Sequence, residues 1–407
     1  MSHILVIGGG FAGVWAAAGA VRARREAGAP DDAVTVTLIS AADDLTIRPR
    51  LYEDDAQGKR VALDRVLGPI GVRRVAATVT GIDTATRTVT ALGRDGSTLE
   101  LTYDRLVLAS GSRVLTPPVE GARHLFDVDT LPAAAALESH IGRLGTVPGG
   151  DERFTAVVVG AGFTGLEVAT ELPTRIRAAA GGREVRVVLV ERADAVGPEL
   201  GPGPRPEILA ALEHAGVEVL LNTSLQSLDP QRAVLSDGTV IPTRTVIWTA
   251  GMRASALTGQ IPGSRDAIGR LAVDEHLRVI GVDGVYAAGD TAAAVAEDGH
   301  VVMQSCQHAV PQGKLAGANV GADTLGLPLV PFAPNPYVTC LDLGPYGAVL
   351  TTGWDRTVAQ TGAEAKKLKH TINSEWIYPP FDDAATILDL ADHRTTWPFE
   401  TVEDTAS

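Results

Sequence analysis

Cysteine is nearly missing: Cys306 and Cys340 are the only two in 407 residues. That excludes a disulfide scaffold and fits a reducing cytoplasm. Basic charge is also short, with 35 Lys and Arg against 49 Asp and Glu and a formal charge of −14. Without a block of about five basic residues, the chain is a poor nucleic-acid binder. No apolar run reaches the roughly 18 residues that a membrane span needs. No secretory signal is visible, because the apolar run Ile4–Ile7 starts at once, without a basic region or a cleavage site. Neither a zinc-spaced His/Cys cluster nor a serine nucleophile elbow is found, so no metal is expected. What is present is ordinary globular composition, 45% hydrophobic and 21% charged, over a length of about two to three usual domains. The expectation is a soluble, cytoplasmic, multidomain protein.

The chain contains one pattern twice. An apolar run from His3 enters a glycine-rich turn ending at Gly13, followed by a helical stretch to about Gly28 and a buried strand, 34–39. Alternating strands then flank Asp95–Gly96, a hairpin corner, and 105–109 leads to Ser110 and Gly111. The second copy has a strand from Thr155, a glycine turn ending at Gly165, a helix 166–180 and a strand 185–190. Alternating strands flank Asp237–Gly238, and the copy closes at Gly251. First to closing glycine spans 103 residues in one copy (8 to 111) and 91 in the other (160 to 251). Four elements in the same order predict an α/β protein with two Rossmann-type, three-layer dinucleotide-binding units.

Gly8, Gly10 and Gly13 form GxGxxG between strand and helix, as do Gly160, Gly162 and Gly165. The first glycine permits the tight turn, the second lets backbone approach a pyrophosphate, and the third lets the helix pack closely. The helix N-terminus adds N–H donors and about half a positive charge. An acid should end the next strand and take the ribose hydroxyls. In the second copy this is Glu191, which favours NADH over NADPH by repelling a 2′-phosphate; the neighbouring Arg192 softens that preference and leaves NADPH open. The first copy has Ser40 instead, so either Asp43 or Asp44 substitutes or other contacts hold the cofactor.

Together these motifs resemble the two-dinucleotide FAD/NAD(P)H oxidoreductases of the pyridine nucleotide-disulfide reductase superfamily, most closely the type II NADH dehydrogenases and their soluble relatives. The resemblance covers roughly residues 1–320. It implies FAD in the first unit and NADH in the second, with the NADH domain (119–251) inserted in the FAD domain (1–118 and 252–325) and a smaller α+β region (326–407) at the end. It implies that Asp290, closing the run Ala287–Asp290, bonds the ribityl chain or the pyrophosphate side, and that Arg48 and Pro49 pass close to the flavin. Ala309, Gln312 and Gly313 match a helix start at the flavin pyrimidine, with Pro311 predicted to interrupt the helix 304–319 so that the N–H groups of Gln312 and Gly313 point at a ligand. Glu167, two residues past Gly165, is placed near the nicotinamide; read by itself it stabilises a helix N-terminus. Ser110, Gly111 and Gly251 complete the candidate cofactor-binding set.

No local dithiol exists to relay electrons, so they must leave reduced flavin for an external acceptor. His308 is a candidate proton donor there and otherwise a core or capping histidine. The third region is expected to carry acceptor specificity. Its helix, 363–377, sets Ala365, Leu368, Ile372 and Trp376 on one face and Lys366, Lys367, Lys369 and His370 over much of the rest. Such a helix can lie on a membrane, but the acidic tail 382–407 favours a soluble enzyme. The leading expectation is electron transfer from NADH through FAD to a quinone or quinone-like aromatic. A reductase feeding a small iron–sulfur carrier and a low-turnover NADH-binding sensor are the alternatives, and a homodimer is compatible with each.

Overall fold

The opening apolar run forms β1 (Ser2–Ile7), which Gly8–Gly10 turn directly into α1 (Phe11–Glu26). The computed structural model describes residues 1–296 and 298–395. β2 (Val34–Ser40) runs parallel to β1, in register from Ser2 with Val34 to Ile7 with Ile39. The long β3 (Arg73–Asp83) follows in parallel, and β4 (Thr88–Gly93) and β5 (Thr98–Thr102) fold back antiparallel around the Asp95–Gly96 corner. β6 (Arg105–Leu108) pairs with the other edge of β1. Ile4 to Ile7 are all buried, with α1 and the later helix 306–324 packed against the strand, which is why it reads as an unbroken apolar run.

A short strand, β7 (Ser112–Val114), leads away into the second unit, whose first helix is α2 (Leu131–Arg143). There β8 (Thr155–Val159), α3 (Phe163–Ala180), β9 (Arg186–Val190), α4 (Arg205–Ala215) and β10 (Val217–Leu220) alternate. A three-stranded antiparallel sheet, β11 (Leu225–Asp229), β12 (Arg232–Leu235) and β13 (Val240–Pro242), precedes β14 (Thr245–Trp248). The parallel sheet of this unit has the order β10-β9-β8-β14. The chain returns along β15 (Met252–Ala254), antiparallel to β7, and β16 (Val285–Ala287) then joins β6. The first sheet is therefore seven-stranded, β16-β6-β1-β2-β3-β4-β5, and is completed by a strand from beyond the second unit. The second unit is an insertion in the first.

α5 (Cys306–Thr324) lies against α1; a side chain at Gly317 would put its Cβ 2.2 Å from the Ala16 carbonyl oxygen. The predicted interruption at Pro311 is absent: α5 is continuous, since a proline forfeits one N–H bond without ending a helix whose neighbours hold it. The Pro-rich segment 327–336 then enters an antiparallel sheet of β17 (Val338–Asp342), β18 (Ala348–Thr352) and β19 (Thr357–Thr361). Leu341, Leu343 and Val349 share a core with Leu166, Leu172 and Leu200, which seats this sheet on the second unit. α6 (Gly362–Thr371) runs into a wider turn at Ile372–Trp376. Its buried line is Ala365, Lys369, Asn373 and Ile377, displaced from the predicted face, of which only Ala365 is buried. Among the described residues the tail contributes one helix, α7 (Ala384–Leu390), which Arg22 of α1 holds through the Leu388 carbonyl and the following Asp392. Residues 396–407 of the acidic tail lie outside the described residues.

Candidate active site

The two glycine turns share one geometry. Gly8 (φ +116°) and Gly160 (φ +106°) hold backbone conformations that side chains disfavour. A Cβ on Gly13 would sit 1.9 Å from the Gly8 carbonyl oxygen, and one on Gly165 1.8 Å from that of Gly160. Gly10 and Gly162 differ: an added Cβ meets nothing within 4 Å, because both face open space. No side chain caps α1 or α3, so the first N–H groups of each helix are available to a ligand.

That space is one cleft of about 1960 Å³, shared by both units. From the first unit, Gly8, Gly10, Ser40, Arg48 and Pro49 line it, together with Ser110, Gly111, Asp290 and Ala309. From the second come Gly160, Gly162, Glu167, Glu191 and Gly251. Among the described residues that line it, Gly13, Gly165, Gln312, Gly313 and His308 do not appear. Gly13 and Gly165 pack behind the turns, and Gly313 packs on Ala12. The Gln312 side chain accepts the Gly289 N–H at 2.9 Å, so it braces the turn before Asp290. His308 is 2% exposed and stacks on Tyr337, with ring centroids 5.4 Å apart. Burial pushes its pKa down to about 4, leaving a neutral imidazole turned away from the cleft. Without the break at Pro311, the first turn of α5 faces the cleft instead, through Ser305, Cys306 and Gln307.

In the first unit, Asp290 accepts the Ser112 hydroxyl at 2.6 Å and the Arg48 guanidinium at 3.4 Å. Arg48 also donates to Ser112 Oγ at 2.8 Å and pairs with Asp129. Ser112 and Asp129 were not foreseen, because neither belongs to a local motif. Ser40 Oγ accepts only its near neighbour Ala42 N–H, at 3.3 Å. Asp44 lines the cleft, whereas Asp43 is engaged by Arg74 and Arg94. Ser110 Oγ, a buried hydroxyl in the cleft wall, has no partner among the described residues, and the second unit has a counterpart in Trp248 Nε1. Each unmet polar group costs about 1–3 kcal/mol, so a polar ligand beside each turn fits the wall as built.

In the second unit, Glu191 is buried and its two oxygens accept the Ala161 N–H at 2.7 Å and the Ala193 N–H at 2.9 Å. Glu167 is buried as well; its Oε1 accepts from Lys369 Nζ at 2.8 Å and from the Asp342 N–H at 3.2 Å. Lys369 also donates to the Cys340 carbonyl at 2.9 Å. Burial opposes charge on Lys369, but Glu167 and the other groups around it, Cys340 and Asp342, together outweigh it and hold the pKa of the ammonium above its ordinary value. Around this pair, Asp342 accepts from Lys366 and from the Tyr52 hydroxyl, the latter at 2.9 Å. Cys306 and Cys340 are both free and line the cleft, and burial pushes each thiol up to about 11. They are thiols, not thiolates, at neutral pH. Among the described residues no group of three or more His, Cys, Asp or Glu could hold a metal.

A family model described as pyridine nucleotide-disulphide oxidoreductase matches residues 2–313. The chain belongs to that family. Among pyridine nucleotide-disulphide oxidoreductases it is 46% identical over 386 residues to an NADH dehydrogenase-like protein of Mycobacterium tuberculosis, covering 94% of this chain and 96% of that one. It is 28% identical to a demethylphylloquinone reductase of Synechocystis sp., with 86% of each chain covered. Of the solved structures, NDH2 from Plasmodium falciparum in complex with NADH superposes with a TM-score of 0.76 at 13% identity, covering 96% of both chains. The sulfide:quinone oxidoreductase of Aquifex aeolicus also reaches 0.76, at 16% identity, with 99% of this chain and 95% of that chain covered. These two establish the shared fold. No helix among the described residues is long and apolar enough to cross a membrane.

Proposed function

We propose that the chain oxidises NADH through a bound FAD and reduces a quinone or quinone-like aromatic acceptor, without a redox disulfide. One observation carries this reading: both glycine turns, Asp290, Glu191 and the Glu167–Lys369 pair open onto the same cleft. Two dinucleotides bound at the two turns would meet inside it. FAD, when bound, accepts hydride from a reduced nicotinamide and can release electrons singly or in pairs. Gly8, Gly10, Ser110 and Asp290 would hold it, and Gly160, Gly162 and Glu191 would hold NADH. Glu167 lies in the same wall, where a carboxylate favours the positive charge that develops on a nicotinamide as hydride leaves. The names of the relatives support the donor, and those of the demethylphylloquinone reductase and of the type II NADH:quinone oxidoreductases support the acceptor class.

Steady-state NADH oxidation with a panel of quinones, a disulfide substrate and a small oxidised iron–sulfur protein tests the reading. Quinones are expected to support the fastest turnover. Turnover supported only by the iron–sulfur protein, or by a disulfide, would overturn it.

A further inference from the structure

Arg356 is a buried cation without a counter-ion. It is 6% exposed, its Nη1 has no hydrogen-bond partner, and it forms no ion pair among the described residues. The Tyr337 hydroxyl engages the group, but desolvating a guanidinium without an anionic acceptor is unfavourable, and neighbouring aromatic rings offset only part of the loss. Here Cζ lies 5.3 Å from the ring centroid of Phe163 and 5.3 Å from that of Tyr337. The side chain forms part of the cleft wall.

Its position beside the second glycine turn bears on what it could bind. Phe163 is the first residue of α3, next to Gly162 of the second glycine turn. Arg356 reaches this point from the hairpin between β18 and β19, and that hairpin is fixed from two directions. Trp354 donates its indole N–H to Asp298 at 2.7 Å and stacks on Tyr337 with centroids 4.2 Å apart. On the other side the backbone of Arg356 abuts the loop before α4, where a Cβ on Gly203 would lie 2.6 Å from the Arg356 carbonyl oxygen. The backbone that carries the guanidinium is thus held in place before any ligand arrives, which lowers the ordering cost of binding. A helix start supplies only about half a positive charge to a diphosphate bearing two negative ones, in a chain whose net charge is −14.

We infer that Arg356 is a phosphate-binding residue for the donor nucleotide, pairing with the diphosphate of NADH above the start of α3. The inference rests on the NADH reading of the second glycine turn and deepens it. It also gives the C-terminal sheet a part in holding the donor, beyond the acceptor role expected from sequence.

The test is equilibrium binding of NAD⁺, ADP-ribose and adenosine to the FAD-loaded protein, comparing wild type with Arg356→Gln, Arg356→Met and Arg356→Lys. Arg356→Met keeps an unbranched stem beside the two rings and serves if Arg356→Gln does not fold; flavin retention reports folding in each. Loss of the charge should weaken NAD⁺ and ADP-ribose equally, by about 10- to 100-fold (~1.4–2.7 kcal/mol), and leave adenosine unchanged. Arg356→Lys should recover part of the loss, because an ammonium pairs with phosphate less specifically than the planar guanidinium. Wild-type affinity for ADP-ribose in the folded uncharged variant would overturn the inference, as would a loss confined to the KM of the electron acceptor. Failure of the wild type itself to bind ADP-ribose would instead remove the NADH reading beneath it.

Discussion

Lys369 Nζ lies 2.8 Å from Glu167 Oε1, and both residues are buried although 202 positions of chain separate them. This contact joins α6 to the helix that follows the second glycine turn. Breaking a buried ion pair from one side costs about 3–5 kcal/mol, because the remaining charge is stranded. Lys369→Met should therefore lower the unfolding free energy by roughly that amount, and adding Glu167→Gln should restore part of it. Urea unfolding of the FAD-loaded proteins as a double-mutant cycle reads the coupling. Additive losses would mean that the two groups do not act as a pair.

The two kinds of turn glycine should separate binding from folding. Gly10 has φ −82° and nothing within 4 Å of an added Cβ, so Gly10→Val should leave the fold stable within about 1 kcal/mol while abolishing flavin retention. Gly13→Ala instead drives Cβ to 1.9 Å from the Gly8 carbonyl oxygen and should destabilise the protein itself. Flavin content and thermal midpoint, measured on both variants, distinguish these effects. A Gly10→Val protein that stays yellow contradicts the account of the first turn.

Glu191 should set the donor preference. Its carboxylate is fixed by two backbone N–H groups beside the second turn, where it would repel a 2′-phosphate. The ratio of kcat/KM for NADH over NADPH should exceed one in the wild type and fall in Glu191→Ser. A ratio of one in the wild type would show that Glu191 does not face the ribose.

His308 gives a pH dependence of stability whose sign follows from its depressed pKa, about 4 when folded against an ordinary 6.5. The stability from burying the neutral ring is complete above pH 6.5. It is lost as pH falls from 6.5 toward about 4, because the unfolded chain takes up a proton that the folded one refuses. The loss at the acid end is about 3 kcal/mol. His308→Phe, which keeps a ring against Tyr337, should flatten that part of the profile between pH 7 and pH 4.5. An unchanged difference between the two pH values would show that the ring titrates normally.

The legible parts of this molecule are the local ones. Gly8, Gly10 and Gly13 lie within six residues, and their spacing reports a turn in which Gly8 and Gly13 are needed for the backbone and Gly10 leaves room for a ligand; the same holds for the second turn. The insertion was legible only through the family resemblance, which assigns the strand ending at Asp290, after both copies, to the first unit. The partner of Glu167 was not readable. Lys369 sits in a run with Lys366, Lys367 and His370 that looks like a solvated face, and only tertiary packing rotates α6 to bury it beside Glu167. Pro311 misled for a related reason: its local preference is overridden where α5 packs on α1 and the Asp290 turn. Arg356 carries no sequence signal at all, since its significance lies in what surrounds it.

In the proposed reaction NADH delivers hydride to a flavin in the cleft beside Glu167, and a quinone then removes the electrons. Anaerobic stopped-flow mixing of the purified protein, first with NADH and then with a quinone, tests it most directly. The wild type should lose its flavin absorbance on mixing with NADH and regain it with the quinone. Glu167→Gln should slow the first step by roughly 10- to 100-fold, about 1.4–2.7 kcal/mol of barrier, and the second step less. Flavin absorbance that NADH leaves unchanged in the wild type, or a Glu167→Gln variant reduced at the wild-type rate, would contradict the account.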